Sequence, residues 1–278
     1  MPATTLHRRP TRAAPPLTPT RRRLILGWAA LAVALLTAAL IGGLVLAFSG
    51  PQRQAATANS PGLTQPTPRS APVTDQQRMN ALAASPMSTL PLAAANPHAL
   101  LPHTALAPLS VPTSTTVRGL VPTGFPRTPA GAVAQLAAID EAALSGMNPS
   151  QVAQVYADWA VAAADPLDLW SVHQFVQQTL NASGIPNGSS QLQATYSATE
   201  AQVKGTVGAG FVLACINGEF DVSLLDNTVR VGAADCARMV WTGSRWQIGA
   251  GTQPATPPNA WPGTAEAAQV GWRPIVDD

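Results

Sequence analysis

The chain has 278 residues, enough for one well-formed domain and at most two. Only 11% of the residues are charged, 27 are proline, and the formal net charge is +2. That charge is unevenly distributed. From Gly119 onward the chain has about six basic and about thirteen acidic side chains. An acidic domain repels phosphate backbones, so we exclude direct nucleic-acid binding by this part of the chain.

Residues 1–23 form a basic tail without any acidic side chain. Its last three residues, Arg21, Arg22 and Arg23, lie immediately before a long apolar run. Positive charge on one side of a membrane span marks the cytoplasmic side, so these arginines are predicted to orient the span with the N-terminus inside. The expected contact of the tail is anionic lipid of the inner leaflet of the bilayer.

Residues 24–48 carry no charge. As a helix, about 25 residues rise about 37 Å, which covers a hydrocarbon core of about 30 Å with some tilt. The alternative is a cleaved export signal, because "TRRRLIL" resembles a twin-arginine consensus. Signal-peptide apolar regions are shorter, about 7–15 residues, and no small-x-small cleavage site directly follows Phe48. We therefore predict a retained single-pass anchor in the cell membrane, with everything downstream outside the cytoplasm.

Residues 49–118 are rich in proline, alanine, threonine and serine, and their apolar residues show no sustained period. Frequent proline prevents long helices and sheets, so the segment is predicted to be a long disordered linker. In polyproline form it reaches on the order of 200 Å at about 3.1 Å per residue. The one element expected within it is a short helix over residues 75–84, capped by Thr74.

Residues 119–278 are predicted to form the folded extracytoplasmic domain. Thr128-Pro129 and Asn148-Pro149 each combine a capping side chain with proline at the first helical position, which predicts two helix starts. Asp165-Pro166 repeats the device and predicts a third helix over "LDLWSVHQFVQQTL", ending near Gly184. Asp168 is interpreted as a first-turn acid favoured by the helix dipole.

Beyond Gly188 the pattern changes to strands, with "QLQATYSA", "AQVKGTV", "FVLACINGEFDVSLL", "TVRVGAADCARMVW" and "RWQIG" as candidates. Three helices followed by an antiparallel meander indicate an α+β fold, in which the helices cover one face of a curved sheet. "AWPGTAEAAQVGW" predicts a last short helix that returns Trp261 and Trp272 to the body.

"TGFPRTPAGAVAQLAAID", "KGTVGAGFVLACINGEFDV" and "RMVWTGSRWQIGAG" resemble uncharacterised actinobacterial single-pass membrane proteins of integrative and conjugative elements. The order of helices and strands, closed by a "W-turn-RW-I" hairpin, is similar to the cone-shaped nuclear-transport-factor-like fold. The resemblance implies an extracytoplasmic domain like those of type IV secretion assembly factors. The resemblance covers Gly119 to about Trp272, and it identifies no catalytic residues in this chain.

Cys215 and Cys236 are the two cysteines of the chain. Outside the membrane they meet oxidising conditions, and a structural disulfide is predicted. A hairpin with a four-residue loop from Leu224 to Asn227 sets the two cysteines directly opposite, whereas a two-residue loop at Asp226-Asn227 makes them diagonal. The alternatives are two buried free thiols or, despite the lack of CxxC spacing, a redox pair.

His173 is the one histidine of the predicted domain. A chemical interpretation makes it a general base in a cone-shaped pocket, oriented by Asp158 or Asp168. The preferred interpretation is a histidine at the surface or the edge of the core. No catalytic set, no metal-ligand cluster and no cofactor motif is assigned.

The sequence thus predicts a non-enzymatic, membrane-anchored interaction or scaffold protein. Its expected partners are the lipid bilayer and either the protein subunits of a conjugative or type IV-like secretion apparatus or a second copy of itself. The alternative function is a surface-tethered or exported protein that binds or processes a small molecule in a pocket near His173.

Overall fold

The computed structural model of the chain describes residues 73–225 and 227–278. The predicted tail, the predicted membrane span and the predicted linker up to residue 72 lie outside these ranges. Within the two described ranges, no helix combines the length and the apolar character needed to cross a bilayer.

The body of the domain is a curled, six-stranded half-barrel sheet with strand order β1-β8-β4-β5-β6-β7. Three long antiparallel strands make most of it, and β2 and β3 form a separate two-stranded hairpin. The strands are β1 Leu109–Val111, β2 Thr116–Arg118, β3 Val121–Thr123, β4 Leu192–Thr206, β5 Phe211–Leu224, β6 Asn227–Trp241, β7 Trp246–Ile248 and β8 Arg273–Asp277.

Helices pack on both faces of this sheet. The α-helices are α1 Asp75–Ala84, α2 Pro129–Leu144, α3 Pro149–Trp159, α4 Ser171–Ala182 and α5 Ala265–Gln269. Three short 3-10 turns lie between them, at Leu92–Ala95, Ser145–Met147 and Leu167–Leu169. The predicted α+β class, with helices against a curved antiparallel sheet, is confirmed.

Two predicted helix starts are confirmed in detail. The Thr128 hydroxyl accepts a hydrogen bond from the Gly131 amide at 3.0 Å. The Asn148 carboxamide oxygen accepts one from the Ser150 amide at 2.9 Å. Both caps satisfy amide groups that have no partner inside the helix, and the following prolines need none.

The third helix begins later than the sequence predicts. Pro166 leads into the 3-10 turn Leu167–Leu169, and α4 starts only at Ser171. The turn lets Trp170 become buried at 4% exposure, where its ring lies 5.0 Å from the ring of Tyr156 on α3. Asp165 is therefore not a helix cap. Its backbone oxygen accepts the Tyr156 hydroxyl at 2.6 Å.

Helix α2 fills the inner face of the half-barrel. Most of its apolar side chains are buried and meet the inward-facing side chains of β5, because alternate residues of a strand point to the same face. The core residues at this contact are Val133, Leu136 and Ile139 from α2, and Val212, Ala214 and Ile216 from β5.

The described part of the predicted linker packs on the outer face of the sheet through its first helix. Ala83 of α1 is fully buried in a cluster with Phe211 and Leu213. Lys204, the single lysine, donates hydrogen bonds to the carbonyl oxygens of Ala83 and Ser85. The chain from residue 73 to 118 thus differs from the extended linker that its proline content predicted. Ala83 lies in the short helix predicted over residues 75–84, and Ala94 and Ala95 are buried in the following 3-10 turn, which no pattern in the sequence predicts.

The Cys215–Cys236 disulfide joins β5 to β6 on the outer face. The residues are direct cross-strand partners in the predicted register, with Cα atoms 4.1 Å apart. Both are buried beneath Trp272 and a segment after α1 that includes Met87. The bridge is therefore part of a small second core, separate from the one under α2.

Candidate functional site

The residues predicted to line a pocket are Asp158, Asp168 and His173. They lie on three different elements. Asp158, on α3, accepts a hydrogen bond from the Gln154 carboxamide at 3.0 Å. Asp168 is exposed, and its backbone oxygen accepts one from Gln174 at 2.8 Å. His173, on α4, has a buried Nδ1 without a hydrogen-bond partner among the described residues. No ion pair within the described ranges joins His173 to either aspartate.

A different pair of carboxyl groups meets inside the half-barrel. Asp140 lies on the inner side of α2 and is fully buried. Asp235 lies on the inner face of β6, opposite Ile216. Burial is the main cause that raises the pKa of Asp140 well above its usual range, and the neighbouring Asp235 charge raises it further. Neither carboxyl oxygen of Asp140 has a hydrogen-bond partner within the described ranges.

Asp235 is the more acidic member of the pair. Burial raises its pKa to about 6, while hydrogen bonds from the Ser171 side chain and the Cys236 amide oppose the rise. Two neighbouring carboxylates in a low-dielectric interior cannot both ionise at low cost, so the more strongly buried one stays protonated. The pair therefore keeps a proton on Asp140 at pH values where an exposed aspartate is ionised.

Tyr196 is the polar neighbour of this carboxyl pair. It is buried, and its hydroxyl donates to the Ala233 carbonyl at 3.0 Å. Burial and the nearby Asp140 and Asp235 charges raise the pKa of Tyr196 well above its usual value, so the phenol stays neutral. The Tyr196 hydroxyl thus hydrogen-bonds to the backbone and not to the carboxyl pair.

Sequence reasoning missed the carboxyl pair, although its signal is present. Asp140 lies four residues after Leu136 and four before Leu144, which places it on the buried side of the helix. Asp235 alternates with Ala233 and Ala237, which face the core. A carboxyl group in each of two apolar stripes is the pattern that identifies the pair.

A second buried carboxyl group, on the outer face, is structurally satisfied. Glu200 accepts hydrogen bonds from the Asn217 carboxamide at 2.8 Å and from the Gly263 amide at 3.0 Å. Asn217 also donates to the Ala260 carbonyl at 3.1 Å. Burial raises the pKa of Glu200, and these donors oppose the rise. This network fixes the C-terminal segment against the sheet.

An open cleft lies between the β2–β3 hairpin and the turn that joins β6 to β7. It has a volume of about 350 Å³ and contains two arginines from these different elements. Arg245 lies with its guanidinium carbon 5.3 Å from the centre of the Trp159 ring. We call this site the arginine cleft; its lining residues are Thr116, Val117, Arg118, Thr123, Gly124, Ser244 and Arg245.

The β2–β3 hairpin presents an exposed strand beside the cleft. All three residues of β2 are exposed, and its single strand partner among the described residues is β3. Val117 is 68% exposed and Leu120, in the turn, is 61% exposed. The hairpin therefore combines apolar side chains with an unpaired strand edge.

Within the described ranges, no group of three or more histidine, cysteine or acidic side chains converges on a point where a metal ion could be held. No known protein family, curated protein or solved structure matches the chain. The family resemblance therefore remains a prediction from the quoted motifs.

Proposed function

We propose that this chain is a membrane-anchored, extracytoplasmic interaction protein, an accessory or assembly component of a conjugative transfer or type IV-like secretion apparatus. Residues 24–48 hold it in the cell membrane, and Arg21, Arg22 and Arg23 keep the N-terminus in the cytoplasm. The domain resembles a nuclear-transport-factor-like cone and docks with other protein subunits or with a second copy of itself.

The exposed β2 edge is the observation that carries this proposal. An unpaired strand with apolar side chains is a template for pairing with another chain, and proteins normally protect such edges. Addition of a partner strand supplies main-chain hydrogen bonds, while alternate side chains supply specificity. On β2, Val117 lies between the polar residues Thr116 and Arg118, which fits one apolar anchor in a polar rim.

The filled half-barrel also supports an interaction role. Helix α2 buries eleven residues, most of them against the inner face of the sheet. The space that a cone-shaped fold offers to a small molecule is thus largely occupied by the side chains of this helix. Recognition is then left to the outside of the domain.

The disulfide supports the extracytoplasmic location. Disulfides persist in oxidising compartments and are rare in the cytoplasm. Alkylation of intact cells and lysates under non-reducing conditions tests this point, because Cys215 and Cys236 form the one bridge of the described residues. Because both cysteines are buried, alkylation is carried out in denaturant; we expect no alkylation until a reductant is added, and alkylation of both thiols without reductant contradicts the location.

The distance from the predicted span to the domain is shorter than the sequence suggested. Helix α1 begins at Asp75, so 26 residues (49–74) separate it from the predicted span. A fully extended chain of this length reaches at most about 90 Å. The domain is therefore expected to begin within that distance of the membrane surface.

The proposal is tested by purifying the full-length protein from its native membrane with its partners. Val117→Asp places a charge on the exposed edge, and because Val117 is 68% exposed the fold is expected to survive. Leu169→Asp is the matched control, since Leu169 is also exposed, at 47%, and lies outside the hairpin. We expect a protein partner to co-purify with the wild type and the control and to be lost from Val117→Asp. Equal recovery with all three variants contradicts a role for the hairpin.

The small-molecule alternative is favoured by a different observation. The half-barrel interior contains a protonated carboxyl pair, and α4 carries the unpartnered Nδ1 of His173. A buried nitrogen without a hydrogen-bond partner is unfavourable unless a bound molecule supplies that partner. Native mass spectrometry of the purified protein tests this alternative. A bound small molecule that is lost in Asp140→Asn but kept in Asp168→Asn supports it, and its absence from the wild type rejects it.

A further inference from the structure

The arginine cleft brings two guanidinium groups together without a full set of partners. Arg118 ends β2, and Arg245 lies in the turn directly before β7. Burial is the main cause that lowers the pKa of Arg245, and the nearby Arg118 charge lowers it further, while the Asp158 charge opposes both. Like charges held close repel each other, so this arrangement of the two arginines is electrostatically unfavourable.

The contacts made by Arg245 leave part of its hydrogen-bonding capacity unused. Its guanidinium lies over the Trp159 ring, and one terminal nitrogen makes a long, 3.5 Å hydrogen bond to the Asp158 backbone oxygen. Its Nε is buried and has no partner within the described ranges. An unpaired buried donor costs free energy that a ligand oxygen can recover.

The counter-charge at the cleft is incomplete. Asp158 attracts Arg245, but a carboxylate oxygen of Asp158 already accepts the Gln154 carboxamide at 3.0 Å. Among the described residues, Arg118 has no ion-pair partner. Two guanidinium groups thus face a single carboxylate, and the cleft carries an excess positive charge.

The other polar groups of the cleft add hydroxyl donors. Thr116 and Ser244 are exposed, and neither hydroxyl makes a hydrogen bond to a described residue. Thr123 is different, because its hydroxyl is already bonded to Gln135 at 2.6 Å. Paired guanidinium forks with nearby hydroxyls match the oxygens of a carboxylate or a phosphate, to which arginine binds bidentately.

We propose that the arginine cleft is a binding site for a small oxyanion, a carboxylate- or phosphate-bearing molecule held by Arg118 and Arg245 with Thr116 and Ser244 as hydroxyl donors. The volume of about 350 Å³ accommodates a small organic acid or phosphate ester. The cleft shares β2 with the edge proposed for a protein partner, but anion binding uses the side chains of Arg118 and Thr116 and does not require that partner.

Isothermal titration calorimetry on the full chain in a neutral, sugar-headed detergent tests the site. Inorganic phosphate and succinate are titrated in separate arms, which distinguish the two oxyanion sources. Arg118→Gln removes one guanidinium and leaves the contact between Arg245 and the Trp159 ring unchanged. Arg78→Gln is the matched control, because Arg78 is an exposed arginine on α1, where it pairs with Asp75.

We expect saturable binding of at least one anion, weakened at least about tenfold in Arg118→Gln and unchanged in Arg78→Gln. Arg118→Lys keeps the charge but not the bidentate fork, and it should fall between the two. Phosphate-only or succinate-only binding with this pattern supports the site and identifies its ligand. Absence of saturable binding of both anions overturns the proposal. Equal binding by the wild type and Arg118→Gln also overturns it, because the anion is then bound by other arginines.

Discussion

Replacement of Asp235 by asparagine is expected to change the pH dependence of stability. The Asp235 pKa is raised to about 6 by burial, from 3.8 in the unfolded chain. An acid whose pKa is raised on folding binds protons more tightly in the folded state. Its contribution to stability is therefore complete below about pH 3.8 and is lost as the pH rises through about 6.

The size of this effect follows from the pKa shift. A shift of about two pKa units corresponds to about 3 kcal/mol at about 1.4 kcal/mol per unit. The free energy of unfolding of the wild type is thus expected to fall by about 3 kcal/mol between pH 4 and pH 8 through Asp235. Asp140 contributes with the same sign at higher pH, because its pKa is raised further.

Urea unfolding of the full chain in neutral detergent, at pH 4, 6 and 8, measures the change. Asp235→Asn cannot ionise, so its stability relative to the wild type should increase by about 3 kcal/mol from pH 4 to pH 8. Asp168→Asn controls for the loss of one exposed carboxyl group. A difference between Asp235→Asn and the wild type that is the same at all three pH values refutes the buried carboxyl pair.

Three further substitutions test the packing of the domain. Replacing Cys215 and Cys236 together by alanine should lower the free energy of unfolding by about 3 kcal/mol in denaturant titrations, because the bridge closes a 21-residue separation. Lys204→Met removes the donor to the end of α1, and limited proteolysis should then cleave within residues 75–90 at least several-fold faster. Gly232→Ala should abolish folding as seen by circular dichroism, because its new Cβ would lie 1.9 Å from the Ala260 backbone oxygen.

Each of these substitutions has a matched control. The double cysteine variant is compared with the reduced wild type, and unequal stabilities of the two indicate that the side chains rather than the bridge matter. Lys204→Arg should retain slow cleavage of α1, and rapid cleavage in this variant contradicts the capping contact. Gly210→Ala should fold, because its nearest neighbour is a movable Arg127 side chain.

Local signals in the sequence predicted the helices that begin with a cap and a proline. Thr128 and Asn148 determine their helix starts through hydrogen bonds to amides within three residues, and such contacts need no information from the rest of the chain. The start of α4 was misplaced because Asp165-Pro166 has the same local pattern. There, the burial of Trp170 against Tyr156 determines where the helix begins.

Distant pairings could not be predicted from the sequence. Strand β1 pairs in parallel with β8, and Leu109 lies opposite Ile275. Neither three-residue β1 nor five-residue β8 has enough alternation to be recognised as a strand. The helix that carries Ala83 was predicted from its capping residue Thr74, but its packing on the outer face of the sheet was not.

The candidate sites depend on side chains that meet only in three dimensions. Arg118 and Arg245 are separated by more than one hundred residues, and the cleft arises because the β2–β3 hairpin lies beside the turn before β7. The cysteine pair was predictable, because one hairpin register brings Cys215 opposite Cys236. Asp140 and Asp235 were each predictable as buried from the spacing of their apolar neighbours, although their proximity to each other was not.

Photo-crosslinking from position 117 in the native membrane tests the central claim most directly. A photoreactive amino acid replaces Val117 in one variant and Leu169 in the other, and the full-length protein is irradiated in cells. The account predicts an adduct with a protein subunit, or with a second copy of this chain, from position 117 and none from position 169. Adducts with lipid alone, or identical adducts from both positions, would contradict it.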